Sequence, residues 1–443
     1  MSALRVPPHE RLVLDNGARL LILPRRDVPL IACTALLSGG ALGDPRGKSG
    51  VAALTAGLLD KGAGALDARG FADAVEGAGG SLSGAAAPEL IALTGQFLAR
   101  DQALLLELLR AALTEPRFDA EELEKLRARY CELIKAAKDT DPGELIGAYG
   151  RALLFRSHPY ARPVLGSERS LEAIGRADLQ SYHREQLGGN RLVLAFAGDV
   201  NVARLKRAVR RMLAGWRRAR APLRPLTPPA QCRRRAVLLV DAPGAEQTHF
   251  WIGGVGVARS YAHRAALDLV NSLYGGSFGS ILNTELRVKA GLTYAASSSF
   301  TRGRVPAEFA IRSFTRTADT GRALELTLAT LARLKRGAIT QAALESARAY
   351  LLGQYPLSLE TAGDWSHALG ELEVYGLSPA YIDEYPAQLR RVSLAEARRV
   401  AAAAFPDPAR VAIVAIGDAA RIRRPLERLG PVRELPLAHG AFR

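Results

Sequence analysis

Histidine is scarce in this chain and badly placed for binding a metal. Among 443 residues there are 7 histidines: His9, His158, His183, His249, His263, His367 and His439. No two stand three or four apart, the spacing that sets two imidazoles on one helix face. Cysteine is scarcer still. Cys33, Cys131 and Cys232 are an odd, widely spaced set, which excludes a disulfide framework or a zinc knuckle and reads as inert thiols. No apolar run reaches the roughly 20 residues that span a bilayer. The opening segment, Met1 to Arg11, has no apolar signal core. The chain as it stands therefore reads as soluble and cytoplasmic, or as periplasmic if a leader has been removed.

Aromatic residues make up only 6% of the chain, while the net charge is +16. Basic patches that bind nucleic acid usually interleave aromatic or motif residues, and neither is present. The densest basic stretch runs from Arg204 to Arg224 and on through Arg233, Arg234 and Arg235. It is read as solvated helix face and linker, with no nucleic-acid partner.

Apolar residues are plentiful at 48%, enough for packed cores in a chain whose length allows about two to four domains. The chain repeats itself. Leu192–Val200 and Val411–Ala419 each read as a buried strand closed by a Gly-Asp turn and followed by a basic helix, 219 residues apart. The same offset lays Val28–Leu36 over Gln247–Val255. Two related domains follow: residues 1–215 and 236–443, joined by a Pro/Arg-rich linker at 216–235.

Local signals fill in each half. Alternation around Asn16-Gly17 predicts a hairpin over Arg11–Pro24. Ser49 is placed to cap a helix from Gly50 to about Asp60, and Asp67 the next one. Asp119 with Glu122 forms a capping box for a helix running to about Lys138. Its apolar stripe is Leu123, Leu126, Tyr130, Leu133, Ile134 and Ala137. Strands and helices come in clusters without strict alternation. The expected class is α+β: two layered domains, each a mixed, mostly antiparallel sheet packed against helices.

The segment Gly43-Asp44-Pro45-Arg46-Gly47-Lys48-Ser49-Gly50-Val51-Ala52-Ala53-Leu54-Thr55-Ala56-Gly57-Leu58-Leu59-Asp60-Lys61-Gly62 resembles the active-site helix of the pitrilysin/insulinase-type zinc peptidases, in their processing-peptidase branch. Members carry His-x-x-Glu-His there. The two His grip zinc, the Glu deprotonates the metal-bound water, and a further Glu after roughly 76 intervening residues completes the ligand set. In this chain the flanks match and the ligands do not. The His positions are Ala53 and Gly57, the base is Ala56, and the distant Glu falls on Ile134. Glu132 is two residues out of register and reads as a solvated helix residue. Gly57, inside a helix, suggests close packing against another backbone.

The second half is similar to the family's second signature. Gly275-Gly276-Ser277-Phe278-Gly279 leads into Leu286-Arg287 and then Gly291-Leu292-Thr293-Tyr294, with the family's seven-position step from Arg to Tyr. The glycines lack the Lys-Ser/Thr of a phosphate loop and are expected to form a tight strand-to-helix turn. His158-Pro159-Tyr160 and Tyr355-Pro356 add to the likeness. The resemblance implies a chain that forms half of a clamshell and binds no metal itself. Zinc would sit in a homologous catalytic subunit, this chain's heterodimeric partner. Tyr294 would donate to the scissile carbonyl oxygen of a peptide substrate, and Arg287 would hold its backbone carbonyls. A catalytically silent scaffold or a peptide-binding protein is the alternative.

Overall fold

The computed structural model describes residues 5–442. Their contacts group them into two compact units. The first holds residues up to Glu132, Arg162–Pro225 and Pro356–Asp383. The second holds Leu133–Ala161, Leu226–Tyr355 and Glu384 onward. Each unit is thus built around one half of the sequence plus a helical segment contributed by the other half.

In the first unit six strands form one sheet: β1 Glu10–Val13, β2 Arg19–Pro24, β3 Leu30–Ser38, β4 Ser81–Ala86, β5 Leu90–Leu98 and β6 Leu192–Gly198. Their order is β1-β2-β6-β3-β5-β4. The second unit has β7 Ala236–Asp241, β8 Gln247–Val255, β9 Ala296–Arg302, β10 Pro306–Arg316, β11 Ala412–Gly417 and β12 Val432–Pro436. Their order is β12-β7-β11-β8-β10-β9. Each sheet is mixed. The Gly-Asp strand (β6 or β11) runs parallel to one neighbour and antiparallel to the other. Both architectures are the α+β layers that the clustered elements led us to expect. The hairpin forms as well: β1 pairs with β2, and Asn16 Oδ1 accepts the Ala18 N–H at the turn.

The repeat holds with one correction of register. Ala32 pairs with Ala197, and His249 pairs with Ile416, each partner standing just before its Gly-Asp turn. His249 therefore overlies Ala32, two residues from the overlay a constant offset gives. An even shift keeps every side chain on its face, so the hydrophobic pattern of the strands could not reveal it.

The contributed helices cover equivalent strand positions. In the first unit the Ala362–Tyr375 helix lies on β3, where the Thr34 and Ser366 hydroxyls share a buried hydrogen bond of 2.8 Å. Arg11 and Arg19 hold that helix through Glu373, at 2.8 and 3.3 Å. In the second unit the Ile146–Phe155 helix lies on β8, where Gly150 meets the Trp251 indole. A Cβ at Gly150 would stand 2.5 Å from that ring, so only glycine permits this approach. The opposite face of the second sheet carries the core: Phe250, Ile252, Phe309 and Ile311 with the helices around Leu267, Leu324 and Val400.

Local expectations fared unevenly. Asp67 does cap its helix, accepting the Gly70 N–H. Asp119 instead gives its carboxylate to Arg117 at 2.8 Å, and Glu122 pairs with Lys125. In the Ala120–Thr140 helix Leu123 and Ile134 are buried, but Leu133 is 51% exposed. The three-residue step from Tyr130 puts Leu133 in the stripe, yet it lies beyond the arc the core covers.

Candidate functional site

The helix that carries Ala53, Ala56 and Gly57 spans Val51–Gly57. Its start differs from the expected Ser49 cap. The buried carboxylate of Asp44 reaches forward, and its two oxygens accept the Gly50 and Ala52 N–H groups, each at 2.8 Å. Burial pushes this carboxyl up to about 7. Gly50 sits at φ 106, a left-handed conformation that disfavours any side chain. Ser49 is engaged through its carbonyl, which accepts the Ser170 hydroxyl at 2.8 Å. Arg162 donates to the Leu42 and Asp44 carbonyls, and Lys48 pairs with Asp178 at 2.7 Å. The flanking framework is therefore fully employed in structure.

What it frames is apolar. Ala53 and Ala56 are buried. A Cβ on Gly57 would meet Leu126 Cδ2 at 2.9 Å and the Tyr130 hydroxyl at 3.1 Å. The close neighbours of Gly57 are thus side chains of the long helix, where a backbone had been expected. The Ala56 carbonyl abuts β4: a Cβ on Gly84 would stand 2.0 Å from it. Ile134 is buried and Glu132 is exposed. Among the described residues no three His, Cys, Asp or Glu side chains cluster as a metal site requires. Ala53, Ala56, Gly57 and Ile134 offer no donor atom, so these residues do not fit zinc.

The remaining histidines and thiols have other surroundings. His183 is buried, its Nε2 2.9 Å from the Leu113 carbonyl, and burial lowers its proton affinity. His158 contacts the Thr227 carbonyl, and His263 pairs with Glu396. Burial pushes the Cys33 thiol up to about 12, while Cys131 and Cys232 are half-buried thiols outside any disulfide. An inert role for Cys33 agrees with that environment.

The second signature is built differently from the expected strand-to-helix turn. The Arg264–Asn271 helix runs on into a widened π-helical stretch, Ser272–Gly276; a short turn follows, and a second π-helical stretch spans Asn283–Lys289. The glycines thus join helix to helix. Gly275 is required there because a Cβ would stand 2.5 Å from the Ser298 hydroxyl on β9. Such widened turns recur at functional sites. Asn283 Oδ1 accepts the Ala296 N–H, Thr315 donates to the Leu292 carbonyl, and Gly291 turns the chain at φ 61. These bonds fix the loop that carries Tyr294.

Arg287 and Tyr294 come together. The guanidinium carbon of Arg287 stands 4.6 Å from the Tyr294 ring centroid and 4.6 Å from that of Phe278. The cation stands over both rings, within reach of the cation–π attraction. Glu285, the nearest acid in sequence, is held by Lys289 and Arg333, each at 2.8 Å. Those two bonds keep its carboxyl below the ordinary range and leave Arg287 without a carboxylate partner among the described residues. Phe278 is 75% and Tyr294 72% exposed. Phe278 is the member that sequence reasoning passed over. Its signal was a bulky aromatic flanked by glycines on a turn, a poor place to bury one.

A family model described as the peptidase M16 inactive domain matches residues 173–351. An uncharacterized zinc protease of Mycobacterium leprae is 31% identical over 328 residues, covering 72% of either chain. The chain belongs to the M16 peptidase family. A non-peptidase homolog of Helicobacter pylori, YmxG, is 26% identical over 364 residues, 82% of this M16 chain and 83% of its own. The crystal structure of a peptidase M16 inactive domain from Pseudomonas fluorescens shares the fold with a TM-score of 0.86 at 23% identity, covering 93% of this chain and 98% of that one. The inactive-domain match and the non-peptidase homolog support a catalytically inactive protein of peptidase fold. No helix among its described residues is long and apolar enough to cross a membrane.

Proposed function

We propose that this chain is the non-catalytic subunit of a heterodimeric zinc endopeptidase and supplies Arg287 and Tyr294 to a homologous, zinc-bearing subunit. The observation that carries the reading is the cluster of Phe278, Arg287 and Tyr294, two exposed rings each 4.6 Å from the cation. A guanidinium held by two rings and not by a carboxylate keeps its N–H donors for other acceptors. Those donors suit the carbonyl oxygens of an extended peptide backbone. The Tyr294 hydroxyl, at the end of an exposed ring, supplies one further donor, aimed at an oxygen that gains charge during acyl cleavage. Peptides are the substrates, the metal and its activated water belong to the partner, and this chain contributes binding and oxyanion stabilisation.

The test is reconstitution. The chain is mixed with a homologue from the same genome that retains His-x-x-Glu-His. Complex formation is followed by sedimentation, and cleavage of a fluorogenic unstructured peptide is assayed with and without chelator. A stable one-to-one complex whose chelator-sensitive activity exceeds that of the partner alone supports the reading. A catalytic homologue that is fully active by itself and ignores this chain refutes it.

A further inference from the structure

The second unit carries an open pocket of about 470 Å³ on the part of its sheet that the Ile146–Phe155 helix leaves uncovered. Its floor is the cross-strand pair His249 and Phe314, whose ring centroids stand 5.7 Å apart. Ile146 adds an apolar wall, and Arg312 and Asp141 stand at the rim. A Cβ on Gly143 would lie 2.4 Å from His249 Nδ1, so glycine there is what leaves the imidazole its place. The pocket adjoins the loop of Tyr294. Ser313, one of its lining residues, donates to the Ala295 carbonyl at 2.8 Å and lies 3.0 Å from the Thr293 hydroxyl, clasping the residues on both sides of Tyr294.

The lining chooses its occupant by shape. It carries one charge of each sign, Asp141 and an Arg312 that already pairs with Glu308 at 3.4 Å, and so selects for neither sign. Burial disfavours the charged form of His249, so it tips the balance neither way. A neutral, flat, large side chain fits best, because it stacks on the His249–Phe314 floor at ordinary aromatic spacing. A volume of this size lies within the range of specific small-ligand pockets, roughly 300–1,000 Å³. We infer that the pocket is a subsite for an aromatic side chain of an extended peptide whose backbone lies across Arg287 and Tyr294. This assignment rests on the peptide-holding role proposed above.

The test uses the full chain and four fluorescein-labelled Gly/Ser decapeptides that carry a single central Tyr, Leu, Glu or Lys. Affinities are read by fluorescence anisotropy. The Tyr peptide is expected to bind about tenfold more tightly than the Glu and Lys peptides, a stacking-sized difference. Phe314→Ala should bring the four peptides within about twofold of one another, and Phe314→Trp, which keeps a ring, should restore the preference. Arg287→Ala should weaken all four by the same factor. Equal affinities for the four peptides, all weakened by Arg287→Ala, overturn the pocket and leave the peptide-holding role standing. A Tyr preference that Phe314→Ala abolishes, with no effect of Arg287→Ala, supports the pocket and overturns the role of Arg287. Failure of every peptide to bind overturns both.

Discussion

Arg287 lies over the ring of Tyr294 at 4.6 Å, seven residues before it in the chain. The tyrosine therefore has two separable duties: its ring holds the cation and its hydroxyl is a donor. In the reconstituted complex, Tyr294→Phe keeps the ring and should lower kcat by about 10- to 1,000-fold, the scale of losing one oxyanion donor, with KM nearly unchanged. Tyr294→Leu removes the ring as well and should also raise KM. Equal effects of the two variants on both constants would show that the stack does nothing for binding.

Placing zinc ligands on the Val51–Gly57 helix should not create an enzyme. The triple change Ala53→His, Ala56→Glu and Gly57→His forces large side chains into a packed region. Position 57 already has Leu126 2.9 Å from where a Cβ would stand. Overpacking of this kind costs about 1–3 kcal/mol per site. A urea titration should show a large loss of stability, and equilibrium dialysis should show no tight zinc binding. A folded, zinc-loaded variant that cleaves peptides would contradict the account of this region.

Much of this was legible in the sequence because it is local. A hairpin announced by Asn16-Gly17, a strand closed by Gly-Asp, and the absence of donors at Ala53, Ala56 and Gly57 can each be read within a few residues. The misreadings share a cause in distance. Ser49 looked like the cap, but the acceptor is Asp44, folded back from six residues upstream of Gly50. The placing of the Ile146–Phe155 helix on β8 and of the Ala362–Tyr375 helix on β3 depends on contacts between the two halves of the chain, and no local pattern encodes those. Phe278 entered the site from the turn between two widened helical stretches, by a contact with Arg287 nine residues on that no short pattern encodes.

Asp44 is the residue on which the Val51–Gly57 helix depends at its start. Asp44→Ala leaves the Gly50 and Ala52 N–H groups without their acceptor in a buried setting. The expected loss is about 1–3 kcal/mol in chemical denaturation. A variant as stable as the parent would mean that other groups satisfy those donors.

His183 gives the fold a defined response to acid. Its folded-state proton affinity lies below the ordinary histidine value of 6.5 because it is buried. The unfolded chain takes up the proton first as pH falls. The stability tied to neutral His183 is therefore whole above about pH 6.5 and drains away below it. His183→Gln should flatten the pH dependence of the denaturation midpoint between about pH 7.5 and 5.5. An unchanged slope would remove His183 as its source.

The central claim is that a chain without zinc ligands still takes part in peptide cleavage, and one ratio tests it most directly. That ratio is kcat/KM for a fluorogenic peptide in the reconstituted heterodimer, measured with the parent chain and with Arg287→Ala at matched complex concentration. A fall of about tenfold or more with the complex intact is the result expected from loss of a charged peptide donor. A ratio of one, with the complex equally intact, would contradict the account and leave the chain a silent scaffold.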